Sequence, residues 1–399
     1  MTDNSVMDTD IKHSPIESTH ESLGATMVEF AGWNMPLKYT SDLEEHRAVR
    51  EAAGLFDLSH MGEFTVAGPD AAAVLNYVFL LDADKLSVGR AKYTHLVNAD
   101  GTIIDDLIIY RLGEQEFFIV PNAANTQVDW DTMEKRSQEP QPEGYRAPGE
   151  AFDVRIVNQS GELSDIAIQG PASEMILSQL LPADEHEKLS ALKYYAADWF
   201  DVAGMRLLVA RTGYTGEDGF EIYVPFPNAE QLWEKLMAAG TPHGLIPAGL
   251  AARDSLRLEA GMPLYGDELT AELTTVDAGM RGIVGKEKTG EFYGRVLLDL
   301  PVSTKKLVGL TGEGRRAARH GAELYVARTE TPDTDQAAAS APVGTVTSGL
   351  LSPTLGYPIA LAYVDRAHSD VGTVLEADIR GKRYPMTLVK PPFYTREVR

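Results

Sequence analysis

Two stretches of the chain carry residue types that could do chemistry. The first, Ile103-Ile-Asp-Asp-Leu-Ile-Ile-Tyr110, sets two acids inside an otherwise apolar run. Burying an ionised carboxylate without a partner is costly, so an acid in such a run is a candidate for proton or cation chemistry. The run reads as a strand, in which adjacent side chains face opposite ways. Asp105 and Asp106 therefore cannot share a proton as a dyad, and at most one of them reaches a given pocket. The competing reading is that both cap a turn or accept backbone hydrogen bonds. The second stretch is Arg211-Thr-Gly-Tyr-Thr-Gly-Glu-Asp-Gly-Phe-Glu221. An apolar run precedes it, and Phe220, Ile222 and Val224 alternate with Glu221 and Tyr223 after it, which gives strand, turn, strand. Three glycines let the turn adopt conformations closed to other residues and let a flat ligand approach the main chain. Glu221 points away from the face that Phe220 and Ile222 bury, placing a carboxylate beside the turn.

These residues need elements to hold them. Ser41 and Glu44 have capping-box spacing, so a helix runs from residue 41 with Gly54 as its stop. A short strand then ends in a turn at Ala67-Gly-Pro69, followed by a helix over residues 70–79. Strands are expected at 93–97, 103–110, 117–120 and 166–169, and helices at 172–181 and 229–239. Pro247 introduces a further helix that carries Arg253. Arg253 and Arg257, four apart, share one face of it. From about residue 292 the pattern is strands and turns, at 307–311, 344–347, 359–364 and 384–389, enough to close a small barrel. Residues 136–150 read as a linker or crossover, 329–341 as an exposed insertion, and 1–19 as a mobile tail.

Composition narrows the function classes. With 399 residues, 44% hydrophobic, the chain can bury several cores. A net charge of -23 repels phosphate backbones and argues against nucleic acid. No apolar run approaches the ~20 residues that span a bilayer, and no signal peptide is evident, so no membrane association and a cytoplasmic location are expected. The absence of cysteine excludes disulfides, thiolate nucleophiles and thiolate metal sites. The nine histidines lack ligand spacing, and no metal is expected. His60 reads as structural. Gly312-Glu-Gly-Arg-Arg-Ala317 lacks the strand and helix of a dinucleotide site and reads as a turn.

Several segments together resemble the glycine cleavage system T-protein family. They are Phe30-Ala-Gly-Trp-Asn-Met-Pro36, Val49 to Glu63 with its Ser59-His-Met61 core, Ile103 to Leu107, Asn122-Ala-Ala-Asn125, Gln169-Gly-Pro171, the glycine turn, Gly249 to Ala260, and Thr347 to Leu355. The resemblance implies an aminomethyltransferase dependent on tetrahydrofolate as co-substrate. Its partner would be a lipoylated H-protein that delivers an aminomethyl group, and the products would be 5,10-methylenetetrahydrofolate, ammonia and the dihydrolipoyl arm. It makes Asp106, the second acid of its motif, the catalytic residue, and Arg253 the arginine of the folate site. Met61 and Asn122 match positions that border the folate. Glu221 is the candidate acceptor for the two parallel N–H donors of a pterin. Tyr93, Tyr194, Tyr195 and Tyr214 are candidates to wall the ring. Three positions depart from the family: Pro121, Ala252, and Met280, where tryptophan is common, which leaves the closure of that side of the pocket open.

The fold class expected is α+β, a three-domain T-protein-like arrangement around a central folate funnel. Its first domain would be discontinuous (20–61 and 150–285), with 62–149 inserted as the second and a C-terminal β-barrel over 286–399. Two rivals share the ligand. One is a tetrahydrofolate-dependent demethylase of a small methylated sulfur or amine compound; the other is a non-catalytic folate-binding protein, whose relatives carry a cysteine motif missing here.

Overall fold

The chain is described by a computed structural model covering residues 11–327 and 341–396. Two sheets face each other across the site. The larger has six strands in the order Ala197–Val202, Met205–Ala210, Gly219–Pro225, Leu163–Gln169, Ala53–Asp57 and Leu245–Pro247. All neighbours are antiparallel except the last pair. Strand alternation divides its side chains between two cores. Ile166, Ile168, Phe220 and Ile222 pack under the helix Phe226–Gly240 through Leu232, Trp233 and Leu236. From the opposite face Leu208, Ala210 and Tyr223 meet Tyr110, Phe118 and Val120 of the second sheet.

That second sheet is antiparallel throughout, in the order Ala91–Val97, Ile103–Gly113, Glu116–Val120, Phe64–Ala67, Arg155–Asn158. The helices Ala71–Val78 and Thr126–Ser137 cover its other side. A closed barrel follows, with strands Lys305–Gly312, Pro358–Asp365, Gly344–Leu351, Glu323–Val326, Val374–Ile379 and Lys382–Val389 around it in that order. Leu310, Val346, Ala362 and Leu388 fill its interior. The architecture is therefore α+β with a C-terminal barrel.

Several expectations change. Residues 1–10, and all of the expected insertion except Ala341, lie outside the described residues. The rest of the expected tail is structured. Lys12–His13 pairs with Trp33–Lys38, Ile16 is fully buried, and the helix Glu17–Ser22 begins before residue 19. Asp57 fixes this segment: Ser14 Oγ donates to its Oδ2 at 2.5 Å, and His20 Nε2 lies 2.8 Å from the same oxygen. Burial pushes the Asp57 carboxyl up, but His20, Ser14 and Ser59 outweigh it and hold the group below its usual range. Ser41 does cap its helix, accepting from the Glu44 amide at 3.1 Å. Gly54 is no helix stop, because it lies inside the strand Ala53–Asp57, where a Cβ would come within 2.5 Å of Val49 Cγ2. Arg155–Asn158 joins the second sheet, which thus extends past residue 149. Residues 286–304 contribute no barrel strand; Phe292 and Leu297 instead pack on Leu80 and Val97.

Glu259, fully buried at the end of the helix Leu250–Glu259, ties distant parts of the chain together. Its Oε2 accepts from Arg50 Nη2 at 2.9 Å and Thr354 Oγ1 at 2.7 Å, and its Oε1 from Ser352 Oγ at 2.5 Å and the Thr354 amide at 3.0 Å. Its own carbonyl receives the amides of Phe393 and Tyr394. Burial raises the Glu259 carboxyl, yet His46, Ser352 and Arg50 overcome this and bring it down to about 2. Removing one partner of a buried ion pair leaves the other charge uncompensated. Glu259→Ala should therefore lower unfolding stability by roughly 3–5 kcal/mol in urea denaturation. A loss under about 1 kcal/mol would mean that the hub is ornamental.

Candidate functional site

Between the two sheets lies a cavity of about 240 Å³. Its lining draws on the strand Ile103–Gly113, the glycine turn, the helix Leu250–Glu259 and the loop that follows it. The turn is positioned by contacts remote in sequence. Gln169 Nε2 donates to the Thr212 carbonyl at 3.0 Å, and Thr215 Oγ1 donates to Gln169 Oε1 at 2.9 Å. Arg50 Nη1 donates to the Thr215 carbonyl at 2.8 Å and pairs with Glu217 at 2.9 Å. A Cβ on Gly213 would sit 2.0 Å from Gln169 Oε1, and Gly216 has φ 80°, so both glycines are required here.

Alternation along Ile103–Gly113 separates the two acids as expected. Asp105 is fully buried on the side covered by the helix Thr126–Ser137, whereas Asp106 lines the cavity. Two neutral donors hold the Asp106 carboxylate: the Tyr93 hydroxyl at 2.9 Å on Oδ2 and Asn122 Nδ2 at 2.9 Å on Oδ1. Burial first, and the neighbouring Asp105 second, push the Asp106 carboxyl up to about 7. Asn122 is itself clamped, since its amide donates to Asp105 Oδ2 at 2.9 Å and its Nδ2 lies 3.0 Å from Asp105 Oδ1.

Elsewhere in the cavity Glu221 is 9% exposed and accepts from Thr212 Oγ1 and from the Tyr110 hydroxyl, both on Oε2. Its Oε1 has no donor among the described residues. Burial raises this carboxyl too. Arg253 stacks its guanidinium over the Tyr214 ring at 4.7 Å, and that guanidinium makes no hydrogen bond among the described residues. The Tyr214 hydroxyl donates to the Pro263 carbonyl, pinning the loop over the cavity. Met61 and Tyr195 complete the expected set that lines it.

Tyr194 is the exception. It is 46% exposed and absent from the lining, with its ring edge-on to Tyr195 at 4.8 Å. Tyr195 takes a left-handed backbone, φ 58°, and of the two only Tyr195 lines the cavity. His60 is 2% exposed and packs edge-on to Phe30; burial and then Arg253 bring it down to about 4, so it is neutral at physiological pH. Met280 does not line the cavity; it packs in one cluster with Tyr265, which does, alongside Met262, Pro263 and Leu264.

Asp165 is a site residue that sequence reasoning misses. This acid lines the cavity, is 1% exposed, and has no hydrogen-bond donor to its Oδ1 among the described residues. Burial, then Glu221 and Glu63, raise it well above the ordinary range. A signal exists all the same: Asp165 alternates with Ile166 and Ile168 and so faces the cavity side of their strand. Among the described residues no group of three or more His, Asp or Glu is disposed to hold a metal ion.

Comparison with known proteins gives a consistent family assignment. Residues 16–288 match the family model described as the GCVT N-terminal domain, and residues 305–395 match that of the glycine cleavage T-protein C-terminal barrel domain. The chain is 48% identical to the aminomethyltransferase of Corynebacterium aurimucosum, over 98% of this chain and 100% of that protein. It is 47% identical to that of Saccharopolyspora erythraea, over 96% of this chain and 98% of the relative. The crystal structure of the glycine cleavage system aminomethyltransferase T from Bartonella henselae superposes with a TM-score of 0.80 at 35% identity, covering 96% of this chain and 98% of that one.

A carboxyl raised to about 7 from an ordinary 3.8 makes a pH-dependent contribution to stability. The folded state prefers the protonated form, so the contribution is full below the unfolded value and is lost as pH rises through about 7. Asn has no charge to desolvate. Asp106→Asn should therefore melt on the order of 5 °C above the parent at about pH 8, and the gain should vanish only below about pH 4. An unchanged or lower Tm at both values would contradict a desolvated Asp106.

Proposed function

The chain belongs to the glycine cleavage T-protein family, and from that premise we propose that it is a tetrahydrofolate-dependent aminomethyltransferase. In this reading the one-carbon unit passes from the aminomethyl-lipoyl arm of an H-protein to tetrahydrofolate. Its carbon–sulfur bond breaks with the electron pair going to sulfur, the carbon ends between two folate nitrogens, and ammonia leaves. The observation that carries the proposal is the pairing of Asp106, held by Tyr93 and Asn122, with Glu221 in one cavity.

The residues present suit a reduced folate. A pterin offers N–H donors along one edge, and Glu221 supplies the acceptor, its Oε1 without a donor among the described residues while Thr212 and Tyr110 fix Oε2. Leu58, Met61, Val120 and Tyr195 give the ring apolar and aromatic surface. The Arg253 guanidinium, unengaged by any hydrogen bond among the described residues, has its donors available to the ligand. The carboxylate of Asp106 stabilises the iminium-like carbon as the carbon–sulfur bond breaks and orients the attacking amine, without bonding covalently to either. Approach of that cation favours the ionised carboxylate, which overcomes its raised pKa. A permanently charged partner on Asp106 would weaken this effect; its two donors are neutral.

The test is incubation of the protein with aminomethylated H-protein and tetrahydrofolate. Ammonia and 5,10-methylenetetrahydrofolate should appear together, and tetrahydrofolate at about a hundred times its Kd should add about 2.7 kcal/mol of stability and raise Tm. A thermal shift with no ammonia, and consumption of a methylated small molecule instead, would transfer the assignment to a demethylase. Absence of the shift would reject the folate site.

A further inference from the structure

Behind Asp106 lies a buried acid that the reaction as described does not use. Asp129, in the first turn of the helix Thr126–Ser137, is 1% exposed. Neither of its carboxyl oxygens has a hydrogen-bond donor among the described residues. The charged group that acts on it most strongly is the neighbouring Asp105 carboxyl. The two acids are unlike in what surrounds them. Asp105 accepts three N–H groups: the Asn122 amide at 2.9 Å, Asn122 Nδ2 at 3.0 Å and Asn125 Nδ2 at 2.6 Å.

Two carboxylates cannot hydrogen-bond to each other; one must carry a proton and donate it. Three N–H donors stabilise the ionised form of Asp105, whereas no donor among the described residues stabilises an ionised Asp129. We infer that Asp129 is a positioning residue for the proposed aminomethyl transfer, a neutral acid whose O–H donates to Asp105 and so fixes the clamp on Asn122 that holds Asp106. The line of contacts is continuous. Asp129 completes the donor set of Asp105; Asp105 grips both the main-chain and side-chain N–H groups of Asn122; Asn122 Nδ2 reaches Asp106 Oδ1 at 2.9 Å and the Asp106 carbonyl at 2.8 Å. Burial, and then Asp105, raise the Asp129 carboxyl well above its usual range, in keeping with a proton that stays in place. A third negative charge here would also push Asp106 further from ionisation, so the proton protects the charge at the cavity.

This inference rests on the functional reading only for its kinetic arm. The infrared difference spectrum between the parent and Asp129→Asn at neutral pH should show the carbonyl band of a protonated carboxyl that the variant lacks. Asn keeps an N–H donor at that position, so Asp129→Asn should retain kcat within about twofold. Asp129→Ala, which has no donor, should lose roughly tenfold in kcat with KM for tetrahydrofolate unchanged. No difference band, or an Asn variant as impaired as the Ala variant, would overturn the proposal. If the parent transfers no aminomethyl group, the functional reading fails while the band still decides the state of Asp129.

Discussion

A carboxylate must stay chargeable inside a largely apolar cavity, and the rest of the site depends on that constraint. Burial works against the ionised form of Asp106, and Asp105 next to it adds to the penalty. An arginine in contact would hold the group ionised but would also neutralise it towards a ligand. The structure instead supplies a phenol and a primary amide, Tyr93 and Asn122, which fix both oxygens without adding charge. The result is a group near the middle of its titration at neutral pH, which responds to a cation brought beside it.

Holding those donors to a fraction of an ångström requires rigid support. Asn122 follows closely after the strand Glu116–Val120, and Tyr93 stands on Ala91–Val97, so the strands on both sides of Ile103–Gly113 contribute. The second sheet is set against the first by Tyr110 and Phe118 on Tyr223, and Tyr110 then reaches Glu221 with its hydroxyl. Arg50 joins the glycine turn to Glu259, and Glu259 joins both to the barrel side of the chain. Arg257 makes a second such link, pairing with Glu268 at 2.8 Å and donating to Ser348 at 2.9 Å. The cavity walls are thus tied to elements that lie far apart in sequence.

Local pattern carries much of this. Alternation is enough to turn Asp106 and Glu221 to the faces of their strands that line the cavity, because a strand buried on one face has only one register compatible with its apolar residues. The Ser41 cap is legible for the same reason, since capping depends on residues three apart. Contacts made at long sequence separation are not legible. Gly54 looks like a helix stop until Val49 is seen to occupy the space its Cβ would need. Tyr194 and Tyr195 are indistinguishable until the backbone turns left-handed at the second. No helix is expected over residues 126–137 and Asp129 draws no notice in the sequence; only the fold sets it beside Asp105. Asp165 escapes notice because the apolar run that marks its strand starts at Ile166, whereas the strand itself begins at Leu163.

The most direct measurement is steady-state kinetics of Asp106→Asn with aminomethylated H-protein and tetrahydrofolate. An isosteric amide keeps the shape and cannot stabilise a positive carbon. kcat should fall by roughly 10²–10³ while KM for tetrahydrofolate stays within about threefold and the melting transition remains cooperative. Turnover close to that of the parent, or a loss seen entirely in KM, would show that the charge on this aspartate is not what drives the transfer.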